Sequence, residues 1–597
     1  METTTAAPRT DRPAGLQAKT LAEAFQLTAQ ANPERKSIRT KGDEFSITWG
    51  EYADKVRSIA AGLSAMGLGK GDAIGIMLTN RPEFHYFDSA ALHLGAVPFS
   101  IYNTYTAEQI EYLVGDAGNT IIVTERAFLE TVKQVPGIEH VVSVDGGKGT
   151  LAIEDVESRG SGDFDFEAAW HAVAPDDLLT LIYTSGTTGP PKGVELTHAN
   201  LISAVHAFDQ VITFPNDGQV VSWLPMAHIA ERACSHYLPI MLGFTTTCCP
   251  DPRQVVAYLP EVRPTWFFAV PRIWEKLKAA IEAGVEGEED EQKKQATKWA
   301  LDVGRRKVRA EQAGEEVPEE LAQEYAKADE LVLSKLRERL GFDRVESVNV
   351  GAAPTPPEVI GFFHAIGIPL AELWGMSETC GSGTCNPPDK VRIGTVGPPS
   401  PGVEVALAED GEVLVRGGVV MVGYRNQEEK TRETIDEDGW LHTGDIGEFD
   451  EDGYLKIVDR KKELIISAAG KNMSPANIEA KVKASSPLIG QAIAIGDQRS
   501  YNVALITLDP DVAPGFAQQH GIEGGIEAMA DHEAVVAEVQ RGIDAANEQL
   551  ARVEGIKKFK ILPTDWQPGG EELTPTMKLK RKPISEKYSD EIEGLYV

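Results

Sequence analysis

The stretch Tyr183-Thr184-Ser185-Gly186-Thr187-Thr188-Gly189-Pro190-Pro191-Lys192-Gly193 combines glycines, hydroxyl side chains and one lysine directly after the apolar run 178–182. Three glycines allow the backbone to turn its N–H groups toward an anion, and the hydroxyl groups add further donors. Lys192 supplies a positive charge where phosphate charge must be neutralised. The sequence therefore predicts a strand that runs into a loop binding the phosphates of a nucleoside triphosphate.

This loop differs from the common P-loop of nucleotide-binding proteins. The P-loop ends in Gly-Lys-Ser/Thr and opens a helix at once, whereas here Pro191 precedes Lys192 and residues 194–196 look extended. We expect the next helix to begin later, with Thr197 as its N-cap. For so short a loop taken alone, an ordinary Gly/Ser/Thr surface turn is the alternative interpretation.

Strands and helices alternate on both sides of the loop. Before it, residues 73–78 and 96–99 look like buried strands, with a helix over 84–94 between them. Beyond it, residues 220–225 and 265–271 look like buried strands that end at loops. Such an alternation predicts a largely parallel sheet that is covered by helices on both faces.

Length, charge and cysteine usage limit the class of protein. A chain of 597 residues with 42% hydrophobic residues exceeds what one hydrophobic core usually supports, so we expect at least two globular domains. The formal net charge of -33 argues against nucleic acid or an anionic membrane surface as the main partner. Five cysteines without metal-ligand spacing fit a reducing compartment. No secretory signal or membrane-spanning run is visible, and we expect a cytoplasmic protein.

The chain divides into three predicted regions. Residues 1–19 are expected to be a flexible tail, 20–459 a large N-terminal domain and 460–597 a small C-terminal domain, with the boundary at Asp459-Arg460-Lys461-Lys462. Within the large domain, residues 283–339 are dense in charged residues and alanine and contain almost no aromatic side chains. This composition favours long exposed helices.

The loop closely resembles the signature loop of the adenylate-forming superfamily, which includes acyl-CoA synthetases, peptide-synthetase adenylation domains and firefly luciferase. Further motifs similar to those of the superfamily follow in the expected order from about Thr20 onward. The resemblance implies an α/β fold with a large N-terminal domain of layered αβαβα sheets plus a β subdomain, and a smaller, mobile α+β C-terminal domain. It also implies that the ATP phosphates are bound by the loop residues Thr184, Ser185, Gly186, Thr187, Thr188, Gly189 and Lys192.

The block Trp374-Gly375-Met376-Ser377-Glu378 resembles the Tyr-Gly-x-Thr-Glu motif of the superfamily. The resemblance implies that Trp374 stacks on adenine in place of the usual tyrosine. It also implies that Glu378 binds Mg²⁺ together with Thr184, and a hard carboxylate suits this ion. Judged alone, Glu378 would be an ordinary exposed glutamate.

Two further sites are implied for the nucleoside. Gly351-Ala352-Ala353 is similar to the turn that packs on the other face of adenine, where small residues allow close approach. Asp445 is implied to accept the ribose hydroxyls, a usual role of a lone carboxylate in a nucleotide site, and Arg460 to make a second ribose contact. A turn aspartate without function is the ordinary alternative.

The block 438–479 looks like the signature of long-chain fatty acyl-CoA synthetases in particular, and segment 224–232 is similar to the border of the acyl pocket in that family. The charged segment 283–339 resembles a helical insertion of the long-chain members, which implies a role on the acyl side. The acyl pocket is then expected near His228, Trp223, Phe267 and Phe268. These side chains could equally belong to the hydrophobic core. We expect His228 to form and gate the pocket and not to act in acid–base chemistry.

Lys578 lies in Leu573-Thr574-Pro575-Thr576-Met577-Lys578, which is similar to the Thr-Pro-x-x-Lys context of the superfamily's catalytic lysine. Met577 stands where many relatives have glycine. By composition alone a basic C-terminal segment is only a solvated surface. The resemblance implies that Lys578 acts at the α-phosphate, that the small domain rotates about Lys462, and that Gly470-Lys471-Asn472 then lines a CoA channel.

The leading hypothesis is an AMP-forming long-chain fatty acid:CoA ligase with Mg²⁺ as cofactor and ATP and CoA as co-substrates. One alternative delivers the acyl group to a carrier protein, as fatty acyl-AMP ligases do. Another is a nucleotide- or acyl-binding regulator without turnover, which is disfavoured because Lys578 and Glu378 are both present. Chain-length preference, a monomeric or homodimeric state, and peripheral contact with the inner face of a membrane are left open.

Overall fold

The computed structural model describes residues 12–184, 190–212, 214–467 and 471–597. It is a mixed α/β protein with a large N-terminal part and a smaller C-terminal part, so the predicted fold class is confirmed. The strands of the large part are β1 (Lys36–Thr40), β2 (Ser46–Thr48), β3 (Ala73–Met77), β4 (Val97–Ser100), β5 (Ile121–Thr124), β6 (His140–Ser143), β7 (Leu178–Thr184), β8 (Lys192–Thr197), β9 (Gln219–Ser222), β10 (Thr245–Cys248), β11 (Trp266–Ala269), β12 (Ser347–Val350), β13 (Leu370–Trp374), β14 (Thr384–Cys385), β15 (Val403–Leu407), β16 (Glu412–Gly417), β17 (Gly423–Tyr424), β18 (Leu441–Phe449) and β19 (Leu455–Arg460).

The helices of the large part cover the sheets and connect the strands. They are α1 (Leu21–Ala31), α2 (Trp49–Ala65), α3 (Pro82–His93), α4 (Ala107–Ala117), α5 (Leu129–Val132), α6 (Ile153–Ser158), α7 (Phe166–His171), α8 (His198–Val211), α9 (Ile229–Arg232), α10 (Leu238–Leu242), α11 (Val255–Val262), α12 (Pro271–Glu286), α13 (Glu291–Gln312), α14 (Glu319–Ala328), α15 (Ser334–Leu340), α16 (Pro357–Ala365) and α17 (Glu428–Thr434). Within the described ranges, none of the helices has the length and apolar character that crossing a bilayer requires.

The strands on either side of the glycine-rich segment, β7 and β8, belong to a seven-stranded sheet of order β17-β8-β7-β4-β3-β5-β6. The strands from β7 to β6 run parallel, as predicted, whereas β8 returns antiparallel to β7 and pairs Lys192 with Thr184. Thr197 caps α8 by accepting the Asn200 N–H at 3.1 Å, which confirms the predicted N-cap. The β7–β8 pairing therefore holds Thr184 and Lys192 side by side.

Three smaller sheets complete the large part, with orders β2-β1-β10-β9, β11-β12-β13-β14 and β15-β16-β18-β19. Strands β9 to β13 include the predicted buried strands after the loop, although β9 and β11 are shorter than the predicted ranges 220–225 and 265–271. The fourth sheet is antiparallel and forms the β subdomain. Because β11, β12 and β13 are parallel, their carboxyl ends meet at one edge.

The charged segment 283–339 forms the end of α12 and the helices α13, α14 and α15. The prediction of long helices is confirmed, since α13 alone has 22 residues. Its inner face is buried, however, and packs against α16: a Cβ at Gly304 would lie 2.1 Å from the carbonyl oxygen of Ala365. This segment therefore shares the core of the large part, and only its outer face is solvated.

The small part has hydrophobic clusters of its own, whose buried members all lie between Ile465 and Ile592. Its elements are β20 (Ile465–Ile466), β21 (Asn472–Met473), α18 (Pro475–Ser485), β22 (Ile489–Ile495), β23 (Asn502–Leu508), α19 (Ala513–His520), α20 (Ile526–Ala530), α21 (Glu533–Gln549), β24 (Ile556–Ile561), α22 (Arg581–Lys587) and α23 (Ser589–Gly594). Asp459 on β19 accepts the Ala476 N–H at 3.1 Å, so the last strand of the β subdomain also binds the start of α18.

Burial removes water from the His198 imidazole and lowers its pKa to about 3. Its Nδ1 accepts the Leu21 N–H at 3.1 Å, and its Nε2 has no hydrogen-bond partner among the described residues. The folded pKa lies below the unfolded value of about 6.5, so this stabilisation is complete above pH 6.5 and is lost as the pH falls toward the folded pKa. Relative to His198→Asn, which keeps an acceptor but does not titrate, we expect the wild-type chain to lose about 2 kcal/mol between pH 7 and pH 5.

Urea unfolding of both proteins at the two pH values measures this difference. The comparison with the variant is needed because burial raises the pKa of Glu231 and of Glu372 to about 7. These carboxyls increase the stability of the folded chain as the pH falls, which opposes the effect of His198. If the free energies of unfolding of the wild type and of His198→Asn differed by the same amount at pH 7 and at pH 5, the prediction would be wrong.

Candidate active site

The predicted nucleotide residues converge where several strands end. Thr184 is the last residue of β7, Gly351 follows β12, and Trp374 ends β13. Asp445 lies on β18 of the β subdomain and contacts the indole of Trp374. Tertiary folding thus brings together side chains that are far apart in the sequence. Part of the predicted phosphate loop lies outside the described residues, namely Ser185, Gly186, Thr187, Thr188 and Gly189.

Glu378 lies in a short 3-10 turn, Ser377–Thr379, directly after β13. Its carboxylate is buried and accepts a hydrogen bond from the Tyr424 hydroxyl at 2.8 Å. The ammonium of Lys192 lies 4.5 Å from the centre of the same tyrosine ring. Burial lowers the pKa of Lys192, and the charge of Glu378 opposes this shift. A carboxylate, a phenol and a cation therefore lie close together beside the paired strands β8 and β17.

Sequence reasoning missed Tyr424. It lies in β17, which pairs antiparallel with β8, and it is 46 positions from Glu378 in the chain. Nothing in the local pattern around Gly423-Tyr424 distinguishes a ligand-site tyrosine from a core tyrosine. Only the pairing of β17 with the strand after the loop places its hydroxyl on the carboxylate.

Trp374, Asp445 and Arg460 form a connected group. The indole N–H of Trp374 donates to Asp445 Oδ2 at 2.9 Å, and Arg460 Nε lies 2.7 Å from Asp445 Oδ1. Asp445 and Arg460 are also cross-strand partners in the β18–β19 ladder. Burial raises the pKa of Asp445, and the Arg460 charge is the largest opposing effect. The carboxylate is thus oriented by an aromatic ring on one side and a cation on the other.

The backbone turns around Trp374 allow close approach. A Cβ at Gly351 would lie 3.0 Å from the carbonyl oxygen of Leu373, and one at Gly375 would lie 2.2 Å from that of Gly381. Ala352 has a φ of +69°, so the turn that includes Ala353 is tight. Met376 closes the other turn, since its carbonyl oxygen accepts the N–H of Gly381 at 2.8 Å, and Ser377 begins the 3-10 turn. The structure therefore has tight turns at both predicted places, whereas the contacts of these turns with adenine stay predictions.

Lys578 comes from the small part and reaches this group. Its backbone N–H donates to Thr574 Oγ1 at 3.0 Å, and Met577 adopts a left-handed φ of +64°, which explains why glycine suits that position. Desolvation lowers the pKa of its ammonium group, and the charge of Arg460 adds a smaller effect in the same direction, although part of the side chain stays exposed. Asp445 and Glu378 oppose the shift. All of these partners belong to the predicted nucleotide site, so the ammonium group of Lys578 lies near that site.

Three of the four predicted acyl-pocket residues, Trp223, Phe267 and Phe268, lie next to one another. His228 is the N-cap of α9, and burial lowers the pKa of its imidazole to about 4, with a smaller effect of Lys578. The Trp223 ring stacks on Phe267 with centroids 6.2 Å apart, and its indole N–H donates to the Phe268 carbonyl oxygen at 3.3 Å. The three aromatic side chains are almost fully buried. They pack in the hydrophobic core, and a contact with an acyl chain stays a prediction.

Sequence reasoning also missed Glu231, which organises the segment before His228. Its buried carboxylate accepts the backbone N–H groups of Trp223 and Leu224 at 3.0 and 3.1 Å. Ser222 and Asn80 donate to the same carboxylate at 2.9 and 3.1 Å. A single glutamate in a helix is usually solvated, so its sequence carries no sign of this role.

The predicted hinge and CoA-channel residues lie on the other side of the domain boundary. Lys462 is exposed and follows β19 directly. Lys471 is exposed, its backbone N–H donates to Ser467 Oγ at 3.2 Å, and Asn472 begins β21. Gly470 lies outside the described residues. No contact described here tests the hinge or the channel, so both stay predictions.

The described residues contain no cluster of three or more histidine, cysteine, aspartate or glutamate side chains that could hold a metal by themselves. A buried glutamate and the Thr184 hydroxyl at the end of β7 are nevertheless suitable ligands for Mg²⁺. Mg²⁺ in nucleotide sites commonly uses one or two carboxylates and completes its shell with phosphate oxygens and water. The donor set therefore fits a metal that arrives with a nucleotide.

Comparison with known families agrees with this site. Residues 25–425 match the family described as AMP-binding enzyme, and residues 462–597 match the AMP-binding enzyme C-terminal domain. The chain therefore belongs to the AMP-binding enzyme family, and its assignment to the adenylate-forming superfamily is confirmed.

Individual relatives support the same assignment. A Mycobacterium tuberculosis protein named fatty-acid–CoA ligase FadD11 is 54% identical over 449 residues, covering 75% of this chain and 79% of the relative. The long-chain-fatty-acid–CoA ligase FadD15 of Mycobacterium bovis is 35% identical over 576 residues, covering 92% of both chains. Among solved structures, the adenylation domain of a carboxylate reductase from Mycobacterium chelonae has a TM-score of 0.74 at 20% identity, covering 98% of this chain and 93% of that chain. This structural likeness shows the fold.

Proposed function

We propose that this protein activates long-chain fatty acids with ATP and transfers them to CoA through an acyl-AMP intermediate, releasing AMP and pyrophosphate. The observation that carries the proposal is the entry of Lys578 from the small domain into the group of Asp445, Arg460 and Glu378. A cation at this place stabilises negative charge that develops on the α-phosphate. The relatives named as long-chain-fatty-acid–CoA ligases support the substrate class.

In the first step a carboxylate oxygen attacks the α-phosphorus, and the bond to the bridging oxygen breaks, so pyrophosphate leaves with the electron pair. Lys578 and Lys192 would neutralise charge on the phosphates, and Asp445 with Arg460 would hold the ribose. Glu378 and Thr184 would hold Mg²⁺, which neutralises phosphate charge when bound. Binding and charge placement supply the catalysis, and no protein nucleophile is needed.

In the second step the CoA thiolate attacks the acyl carbon and AMP leaves, while the thiol proton passes to solvent. Lys578 lies within reach of the charges of Arg460, Asp445 and Glu378, whereas Lys471 lies exposed elsewhere on the small domain. We propose that residues 460–597 rotate about Lys462 between the two steps, so that Gly470, Lys471 and Asn472 then line the path of CoA.

The acyl chain would lie beside the segment that Glu231 holds in place, near His228 and Trp223. With a pKa of about 4, His228 is neutral at physiological pH and suits an apolar neighbour. A cytoplasmic location is part of the proposal and is supported by five free cysteines.

Product analysis tests the function and separates it from the fatty acyl-AMP ligase alternative. The protein is incubated with ATP, Mg²⁺ and carboxylates from acetate to very long fatty acids, with and without CoA. We expect acyl-CoA, AMP and pyrophosphate, with turnover highest for long chains. Acyl-AMP without acyl-CoA in the presence of CoA would favour the alternative, and no pyrophosphate with any acid would overturn the enzyme function.

A further inference from the structure

The two domains contact each other through charged side chains that belong to none of the predicted nucleotide motifs. Arg272, in the first turn of α12, forms an ion pair with Asp509, the residue directly after β23. One turn further along α12, Lys276 Nζ lies 2.6 Å from Asp511 Oδ2. A basic stripe on the large domain thus faces an acidic loop, 509–511, on the small domain.

The two pairs differ in environment. The Asp509 side chain is only 5% exposed, and it also accepts the N–H groups of Asp511 and Val512 at 3.0 and 3.3 Å, so it is fixed before the domains meet. Lys276 and Asp511 are solvent-exposed. The pKa of Asp511 is lowered first by its hydrogen bond with Lys276 and further by the charges of Arg272 and Arg253. Three cations of the large domain therefore face this one loop.

A second contact between the domains lies in another region of the large domain. Gly569 has a φ of +79°, and a Cβ there would lie 2.6 Å from Thr104 Oγ1, so the small domain packs closely on the loop after β4. Lys578 lies nine residues after Gly569, in the turn that enters the nucleotide site. The orientation of the small domain is therefore held at α12 and at Thr104 while Lys578 is in place.

We propose that Arg272 and Lys276 are positioning residues for the adenylation step: through the 509–511 loop they hold the small domain in the orientation that places Lys578 in the nucleotide site. This inference rests on the proposed ligase function. If the domain rotates between the two half-reactions, the ion pairs stabilise only the orientation that contains them. Weakening them should therefore lower adenylation without lowering thioester formation.

The test measures the two half-reactions separately in the full-length protein. Fatty-acid-dependent ATP–pyrophosphate exchange reports adenylation, and acyl-CoA formed from supplied acyl-AMP and CoA reports thioester formation. We expect Arg272→Ala to lower exchange about 10-fold and Lys276→Glu about 3-fold, since the first pair is partly buried and the second is exposed. Thioester formation should stay at the wild-type rate or rise.

A charge exchange and a matched control complete the design. Lys276→Glu combined with Asp511→Lys should recover most of the lost exchange, because the pair is restored with reversed signs. Lys278→Ala, which removes a cation of the same helix that pairs with Glu282 at 2.8 Å, should change neither half-reaction. Added salt should lower wild-type exchange more than exchange in Lys276→Glu.

The outcomes separate the failure of this inference from the failure of the proposed function. Wild-type protein without fatty-acid-dependent exchange would overturn the ligase function itself. Exchange in the wild type with unchanged exchange in Arg272→Ala, or an equal fall of both half-reactions, would overturn the positioning role. An equal fall is what a merely structural defect produces.

Discussion

Replacing Lys578 by alanine is expected to lower fatty-acid-dependent ATP–pyrophosphate exchange by about 100- to 1000-fold, the usual effect of removing one preorganised partner of developing charge. The ammonium group is the cation that the small domain brings to Asp445 and Glu378. Thioester formation from supplied acyl-AMP should change little, because the proposed rotation of the small domain moves Lys578 out of this site for that step. Comparison of the two half-reactions is the measurement.

Lys582 provides the control for this variant. It lies four residues further along the same basic segment, and its side chain is 73% exposed. Lys582→Ala should therefore keep both half-reactions at the wild-type rate. If Lys578→Ala kept adenylation within a few-fold of the wild type, the assignment of the catalytic lysine would be wrong.

The lowered pKa of Lys578 adds a pH test of the same assignment. Burial favours the neutral amine, so the charged form needed for adenylation is lost at a lower pH than for an ordinary lysine. Lys578→Arg keeps its charge at all accessible pH values. The decline of adenylation at alkaline pH should therefore move to higher pH in this variant, even where its maximal rate is lower.

Glu378→Gln should produce the second largest effect, a fall of about 100-fold in kcat/KM for MgATP, because a metal ligand loses its charge while its shape is kept. The buried carboxylate is the proposed protein anchor for Mg²⁺, and the Tyr424 hydroxyl orients it. Titration of free Mg²⁺ at fixed ATP measures the effect. The variant should need a higher Mg²⁺ concentration for half-maximal exchange.

Tyr424→Phe provides a graded comparison. It removes only the hydrogen bond to Glu378, so we expect a fall of about 10-fold, typical of one hydrogen bond to a charged group. The dependence on Mg²⁺ should shift in the same direction and by less than in Glu378→Gln. A Glu378→Gln protein with wild-type Mg²⁺ dependence would show that the metal is held elsewhere.

Much of the site could be predicted from sequence because its motifs are local. A strand followed by glycines, hydroxyl side chains and a lysine indicates phosphate binding from its residue types alone. The turns at Gly351 and Gly375 need small residues, and these can be read directly from the sequence. The helix cap at Thr197 is likewise a local hydrogen bond.

Other features could not be predicted because they depend on pairing between distant segments. Tyr424 reaches Glu378 only through the β17–β8 pairing, and Trp374 meets Asp445 across two different sheets. The carboxylate of Glu231 accepts a hydrogen bond from Asn80, 151 positions away in the chain, only after the segment between β3 and α3 has packed against the end of β9. No local pattern carries information about such contacts.

The class of fold, the order of the predicted nucleotide motifs and the family could be read from the sequence, because each depends on residue types at short spacing. The position of the small domain follows from tertiary packing alone. This packing brings Lys578 toward Asp445, Arg460 and Glu378 and sets Arg272 and Lys276 against the 509–511 loop. Domain orientation depends on complementary charges and close packing between surfaces hundreds of residues apart, and neither periodicity nor motif spacing contains this information.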